Sequence, residues 1–104
     1  ATVLDAVDNQ MKVAQEEIFG PVLAVIPFDD AEDAIRKAND IPFGLASGVW
    51  TRDVKKAHTV ARRLKAGTVW VNMYNLYDAA MPFGGISCRP CRMRWAAFWL
   101  AGRP

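Results

Sequence analysis

The sequence predicts an α/β fold, a strand-helix-strand-helix-strand parallel unit, on three observations. Short apolar runs alternate with amphipathic stretches across residues 22–72, the connections between them are short, and the first run is apolar at almost every position. That run, "VLAVIPF" (residues 22–28), is rich in branched side chains and reads as a central strand buried on both faces. Asp29 and Asp30 then offer N-cap oxygens, and Ala31, Ala34, Ile35 and Ala38 recur at helical spacing opposite Glu32, Arg36 and Lys37. The helix so defined ends near Asn39, before Pro42.

"LASGVWT" (residues 45–51) is the second strand. Behind it, Val54, Ala57, Ala61 and Leu64 line one face of a second helix, with Gly67 where a C-terminal cap belongs. "TVWVN" (residues 68–72) is the third strand, and the alternation calls for right-handed crossovers. Ahead of this unit, "ATVLDAV" has the pattern of an edge strand, and "NQMKVAQEEIFGP" reads as a connection. No internal repeat or low-complexity segment occurs.

A chain of 104 residues carries one small domain or part of one. Its formal charge of +2 conceals an asymmetry: all 11 acidic residues and nine of the 13 Lys/Arg fall within residues 1–85, whereas residues 86–104 hold four arginines and no acid. Both cysteines, Cys88 and Cys91, belong to that basic tail, so the rest has no disulfide framework and fits a reducing, cytoplasmic setting. The N-terminus lacks a signal-peptide layout, and the apolar run in the tail is far shorter than the roughly 20 residues that span a bilayer.

Generic site signatures are absent: no G-x-G-x-x-G, P-loop or H-E-x-x-H occurs. His58 falls within the second helix among basic residues and reads as a solvated position. Lys55, Lys56, Arg62, Arg63 and Lys65 lack aromatic interleaving and read as a solvated helix face, not as a nucleic-acid patch. Cys88-x-x-Cys91 supplies two of the roughly four ligands of a structural zinc, and no thioredoxin-like strand precedes it. No metal site is expected.

Glu16 and Glu17 stand immediately before "IFGP". A carboxylate there is placed to accept hydrogen bonds from a polyhydroxyl ligand, an aromatic at Phe19 to cover a flat ring, and Gly20-Pro21 to make the turn that fixes both. From the residues alone, two exposed acids ahead of a strand is the competing reading.

The strings "VAQEEIFGPVLAVIPFDDAEDAIRKANDIPFGLASGVWT", "RRLKAGTVWVN" and "MPFGG", in this order, resemble the C-terminal part of the catalytic region of the aldehyde dehydrogenase superfamily, from about residue 1 to residue 86. The resemblance implies oxidation of an aldehyde to a carboxylic acid with NAD or NADP: a thiolate attacks the aldehyde, hydride leaves to the cofactor, and a glutamate-activated water hydrolyses the thioester. It implies that Glu17 binds the nicotinamide ribose hydroxyls, that Phe19 packs against the nicotinamide, and that Asn75, Tyr77 and Phe83 line the substrate tunnel. It also implies a homo-oligomeric parent acting on a small aldehyde, with no nucleic-acid or membrane partner. The family's nucleophile, general base and dinucleotide-binding domain precede the matching part. This polypeptide alone is therefore expected to lack any catalytic residue and any dehydrogenase activity.

After "PFGG" the resemblance calls for a hydrophobic residue and then a pattern like K-x-S-G-x-G-R-E-x-G, but it stops at Ile86. Residues 1–85 then form a partial catalytic domain, and residues 86–104 a divergent tail. A frame change accounts for it. With Arg94 encoded by AGA, Met93-Arg94-Trp95-Ala96 reads Glu-Met-Gly two nucleotides later, and one A restored after an ATC codon for Ile86 gives Ile-Lys-Leu-Ser. The recovered residues match the family's lysine, serine, glutamate and last glycine in spacing, though not the glycine after the serine. The alternative to a dehydrogenase piece is a non-enzymatic α/β interaction module whose basic, Trp-containing tail binds a membrane surface or protein. In either case the three strands, without a larger sheet around them, are expected to leave apolar surface uncovered.

Overall fold

The computed structural model describes residues 1–86; Cys88, Cys91 and the rest of the basic tail lie outside the described residues. The described residues divide into two compact units, Ala1–Pro42 and one that begins at Phe43.

The first unit contains β1 (Thr2–Leu4), α1 (Lys12–Gln15), β2 (Val22–Ala24) and α2 (Ala31–Asn39). β1 and β2 pair in parallel with Val3 opposite Leu23, so the opening segment is a strand, as its pattern suggests. Asp30 is the N-cap of α2: its carboxylate accepts the Asp33 N–H at 2.8 Å. Glu32 and Asp33 in the first turn and Arg36 and Lys37 in the last complement the helix dipole. Ala34 and Ile35 form its buried face.

Asn9 is buried at the other end of α2 and donates from Nδ2 to the carbonyls of Lys37 (2.8 Å) and Asp40 (3.3 Å), satisfying acceptors that a helix C-terminus leaves open. The Lys37 ammonium donates to the Pro27 carbonyl at 2.7 Å, tying the helix to the segment that leaves β2.

The second unit contains β3 (Ala46–Val49), α3 (Val54–Arg63) and β4 (Thr68–Val71), with β3 and β4 parallel and Gly48 opposite Trp70. Asp53 caps α3 by accepting the Lys56 N–H at 2.9 Å. Ala57, Val60 and Leu64 turn inward and α3 packs on both strands. Leu45, Ala46 and Trp70 form the core.

Among the described residues strands and helices alternate and both strand pairs, β1–β2 and β3–β4, are parallel, which is the α/β class read from the sequence. Four details differ. β2 is not buried on both faces: Val22, Ala24, Ile26 and Phe28 are half-buried while Leu23 and Val25 are exposed, because the described residues supply cover for one side. Val54 is 71 % exposed, since it opens the first turn of α3 instead of joining the inward face. α3 stops at Leu64, so Gly67 is not its cap. Lastly, α1 interrupts the segment read as a plain connection.

Candidate functional site

Glu17 and Phe19 lie on the segment that leads from α1 into β2. The Glu16 N–H closes α1 on the Lys12 carbonyl at 2.9 Å, and the backbone then becomes extended. Two tight three-residue turns follow, Gly20 N–H to the Ile18 carbonyl (3.0 Å) and Val22 N–H to the Gly20 carbonyl (2.8 Å). The Pro21 carbonyl accepts the Thr2 N–H at 2.8 Å, which anchors the second turn to β1. This geometry projects Phe19 outward, with 93 % of its surface exposed, and leaves Glu17 half-buried two residues before it. A side chain at Gly20 would meet no atom within 4 Å beyond its chain neighbours, and the exposure of Phe19 itself leaves its ring uncovered by the described residues. A flat ligand ring has an open aromatic face to lie against, and a carboxylate is close in sequence to receive hydroxyl donors.

The second group is built by the turn after β4. Asn72 and Asn75 both adopt left-handed backbone, at φ 53° and 63°, a conformation that asparagine tolerates better than most residues. Asn72 extends the β3–β4 pairing with its side chain: Oδ1 accepts the Thr51 N–H (2.9 Å), Nδ2 donates to the Thr51 carbonyl (3.0 Å), and its own N–H reaches Val49 (2.8 Å). The chain then folds back over Trp70, whose buried indole donates to the Leu76 carbonyl at 2.8 Å.

An aromatic cluster results. The rings of Tyr74 and Tyr77 meet Trp70 edge-on at 4.8 and 5.4 Å, and Phe83 meets Tyr77 at 5.0 Å with the planes 89° apart. Contacts of this kind each contribute about 0.5–1.5 kcal/mol beyond burial. The Tyr77 hydroxyl donates to Asn75 Oδ1 at 2.8 Å. Burial first, and the neighbouring Tyr77 second, push the Tyr74 phenol above its ordinary pKa.

Two glycines make room for this cluster. A Cβ on Gly48 would lie 2.6 Å from the Trp50 ring and 3.2 Å from Tyr74. A Cβ on Gly67 would lie 1.6 Å from the Gly84 carbonyl oxygen. The start of β4 and the "MPFGG" segment thus pass each other backbone against backbone, and the Gly67 N–H donates separately to the Gly44 carbonyl at 2.9 Å.

The structure therefore brings Asn75, Tyr77 and Phe83 into one contiguous group, and places Glu17 and Phe19 together on another segment. Trp70 and Tyr74 are central to the first group and were not among the residues singled out from the sequence. The available signal was aromatic density, four rings between Trp70 and Phe83. His58 and the basic residues Lys55, Lys56, Arg62, Arg63 and Lys65 are exposed on and just after α3. Among the described residues, no group of three or more His, Cys, Asp or Glu is arranged to hold a metal ion.

Residues 1–88 match the model of the aldehyde dehydrogenase family. The chain belongs to the aldehyde dehydrogenase family. The chain is 54 % identical over 84 residues to betaine aldehyde dehydrogenase 2 of Rhizobium meliloti, covering 81 % of the chain and 18 % of the relative. Aldehyde dehydrogenase family 2 member B4, mitochondrial, of Arabidopsis thaliana is 50 % identical over 84 residues, covering 81 % and 16 %.

Among solved structures, P. syringae indole-3-acetaldehyde dehydrogenase AldA, in complex with NAD+ and IAA, superposes with a TM-score of 0.79 at 58 % identity, covering 82 % of the chain and 17 % of that structure. The chain thus spans less than a fifth of the length of these relatives. Both candidate groups fall within the family match. No helix among the described residues is long and apolar enough to cross a membrane.

Proposed function

We propose that this chain is the nicotinamide-contacting and substrate-lining part of an NAD(P)-dependent aldehyde dehydrogenase, acting in the oxidation of a small aldehyde to its carboxylic acid. The observation that carries the reading is the outward Phe19 ring two residues after Glu17, in a segment within the family match. The nicotinamide cofactor, when bound, supplies the hydride acceptor. Glu17 accepts hydrogen bonds from the ribose hydroxyls, a charge-assisted contact that sets the orientation of the ring. Phe19 covers one face of that ring and keeps water from it. Asn75, Tyr77 and Phe83, backed by Trp70, form a largely apolar wall with one amide and one phenol, suited to the organic part of an aldehyde.

Residues 1–86 contain no cysteine, so the nucleophilic thiolate of the family's reaction has no counterpart there, and the chain does not turn over an aldehyde by itself. Residues 1–85 constitute the partial catalytic domain and residues 86–104 a frame-shifted tail; the whole enzyme is a cytoplasmic homo-oligomer without nucleic-acid or membrane partners.

The test pairs two preparations: the purified 104-residue chain, and a chimera of the R. meliloti enzyme in which residues 1–85 of this chain replace the matching segment. The chain alone is expected to give no aldehyde-dependent NAD(P)H, and the chimera to give it. Turnover by the chain alone, or a folded chimera without activity, contradicts the proposal.

A further inference from the structure

Tyr77 is the best-tethered ring of the second unit's aromatic cluster and also the more exposed of its two tyrosines. Its ring meets Trp70 at 5.4 Å and Phe83 at 5.0 Å, with the planes 86° and 89° apart, and its hydroxyl donates to Asn75 Oδ1 at 2.8 Å. Trp70 behind it is buried and tied through its indole N–H to the Leu76 carbonyl. Tyr77 nevertheless keeps 46 % of its surface exposed, against 36 % for Tyr74. A ring whose orientation is set before a ligand arrives loses little freedom on binding one. The surrounding chain is almost free of charge: residues 66–86 hold no Lys or Arg and one acid, Asp78, whose carboxylate accepts the Ala80 N–H at 2.8 Å.

We infer that the aldehyde received by this wall carries an uncharged aromatic group, and that Tyr77 is the side chain that selects it. The inference rests on the substrate wall assigned under Proposed function. An aryl group packs edge-to-face or offset against a fixed ring and gains roughly 2- to 10-fold in affinity per such contact over an aliphatic group of equal area. A carboxylate-bearing aldehyde finds no cation on residues 66–86 and loses hydration against apolar rings. A quaternary ammonium is held where several ring faces surround it. Here the edge-on contacts Trp70–Tyr74, Trp70–Tyr77 and Tyr77–Phe83 each set a ring edge against a neighbour's face, so the cluster directs faces at its own members.

The experiment measures kcat/KM of the chimera for phenylacetaldehyde, hexanal, betaine aldehyde and succinic semialdehyde. The rest of the tunnel comes from the R. meliloti enzyme, so the readout is the change that a substitution at Tyr77 makes to the ratio between substrates. Tyr77→Leu is expected to lower the phenylacetaldehyde-to-hexanal ratio by about 2- to 10-fold, with KM for NAD+ constant. Tyr77→Met, which fills much of the same space without a ring, is expected to lower it likewise and serves where the leucine variant does not fold. Tyr77→Phe keeps the ring and its edge contacts and is expected to restore the ratio. A purely structural role would depress every aldehyde alike. A ratio that the ringless variants leave unchanged or raise, an equal loss on all four aldehydes, or a larger fall for betaine aldehyde or succinic semialdehyde than for phenylacetaldehyde each overturns the inference. An active chimera with no such shift overturns the aromatic preference alone, whereas a folded chimera inactive on all four aldehydes contradicts the catalytic reading and the preference with it.

Discussion

Replacing Gly67 with alanine places a methyl carbon 1.6 Å from the Gly84 carbonyl oxygen and 2.8 Å from its carbon. Ordinary contact between such atoms is about 3.5 Å, so the backbone of the "MPFGG" segment has to retreat by roughly 2 Å. Both obstructing atoms belong to the backbone, and no rotamer change relieves the clash. The retreat carries Phe83 away from Tyr77, where the rings now sit 5.0 Å apart edge-to-face, and from the Leu45–Ala46–Trp70 core.

Loss of that ring contact is worth about 0.5–1.5 kcal/mol, or roughly a 2- to 10-fold change in an equilibrium or rate. In the chimeric enzyme, Gly67→Ala is therefore expected to lower kcat/KM for the aldehyde by about 2- to 10-fold while KM for NAD+ stays constant, because Phe19 and Glu17 lie on a different segment. Gly20→Ala is the control: a Cβ there meets nothing within 4 Å. Equal aldehyde kinetics for Gly67→Ala and the parent chimera would refute the steric reasoning.

Two further outcomes follow from local features. Ala6 is held at φ 52°, a left-handed conformation that costs a residue with a Cβ about 1–2 kcal/mol, part of which glycine returns as lost chain entropy. Ala6→Gly is expected to slow exchange of the neighbouring Val7 amide, bonded to the Val25 carbonyl at 3.0 Å, by roughly 2- to 5-fold; faster exchange would contradict it. Asp33 is held at a pKa of about 2, against an ordinary 3.8, by the hydrogen bond from Lys37 and then that from Arg36. A carboxyl whose folded pKa is depressed contributes stability above its unfolded value and loses it as pH falls through the folded one. Protection of α2 amides is thus expected to decline between about pH 4 and pH 2, with Asp33 titrating near 2 by carboxyl NMR and the decline reduced in Asp33→Asn. A midpoint near 3.8 would show that the pairing is absent in solution.

What the sequence made legible was mostly local. The start of α2 follows from Asp30 as its cap, and the buried faces of both helices from apolar spacing within a few turns, Ala34 and Ile35 in α2 and Ala57 and Leu64 in α3, whereas the Asp53 cap was not singled out. α1 escaped because a helix of four residues is too short to show a period. The cover over β2 depends on parts of the fold remote from residues 22–28, so a run apolar at nearly every position read as buried on both faces although Leu23 and Val25 are exposed.

Gly67 was misassigned for a related reason. Its neighbour in space is Gly84, and a glycine shortly after a helix carries the same local signature whether it caps the helix or admits another backbone. Trp70 and Tyr74 joined the site only through the left-handed turns at Asn72 and Asn75, which fold the following loop back onto β4. Asn75, Tyr77 and Phe83 were reached through family resemblance, and the structure places them in contact through Tyr77.

The Glu17–Phe19 segment is proposed to hold the nicotinamide end of the cofactor. In the chimera carrying residues 1–85, the decisive measurement is KM for NAD+ beside KM for the aldehyde in Glu17→Gln. Loss of a charge-assisted hydrogen bond worth about 1.5–3 kcal/mol predicts a rise of roughly 10- to 100-fold for NAD+, with little change for the aldehyde. An unchanged KM for NAD+, or a rise confined to the aldehyde, would contradict the account.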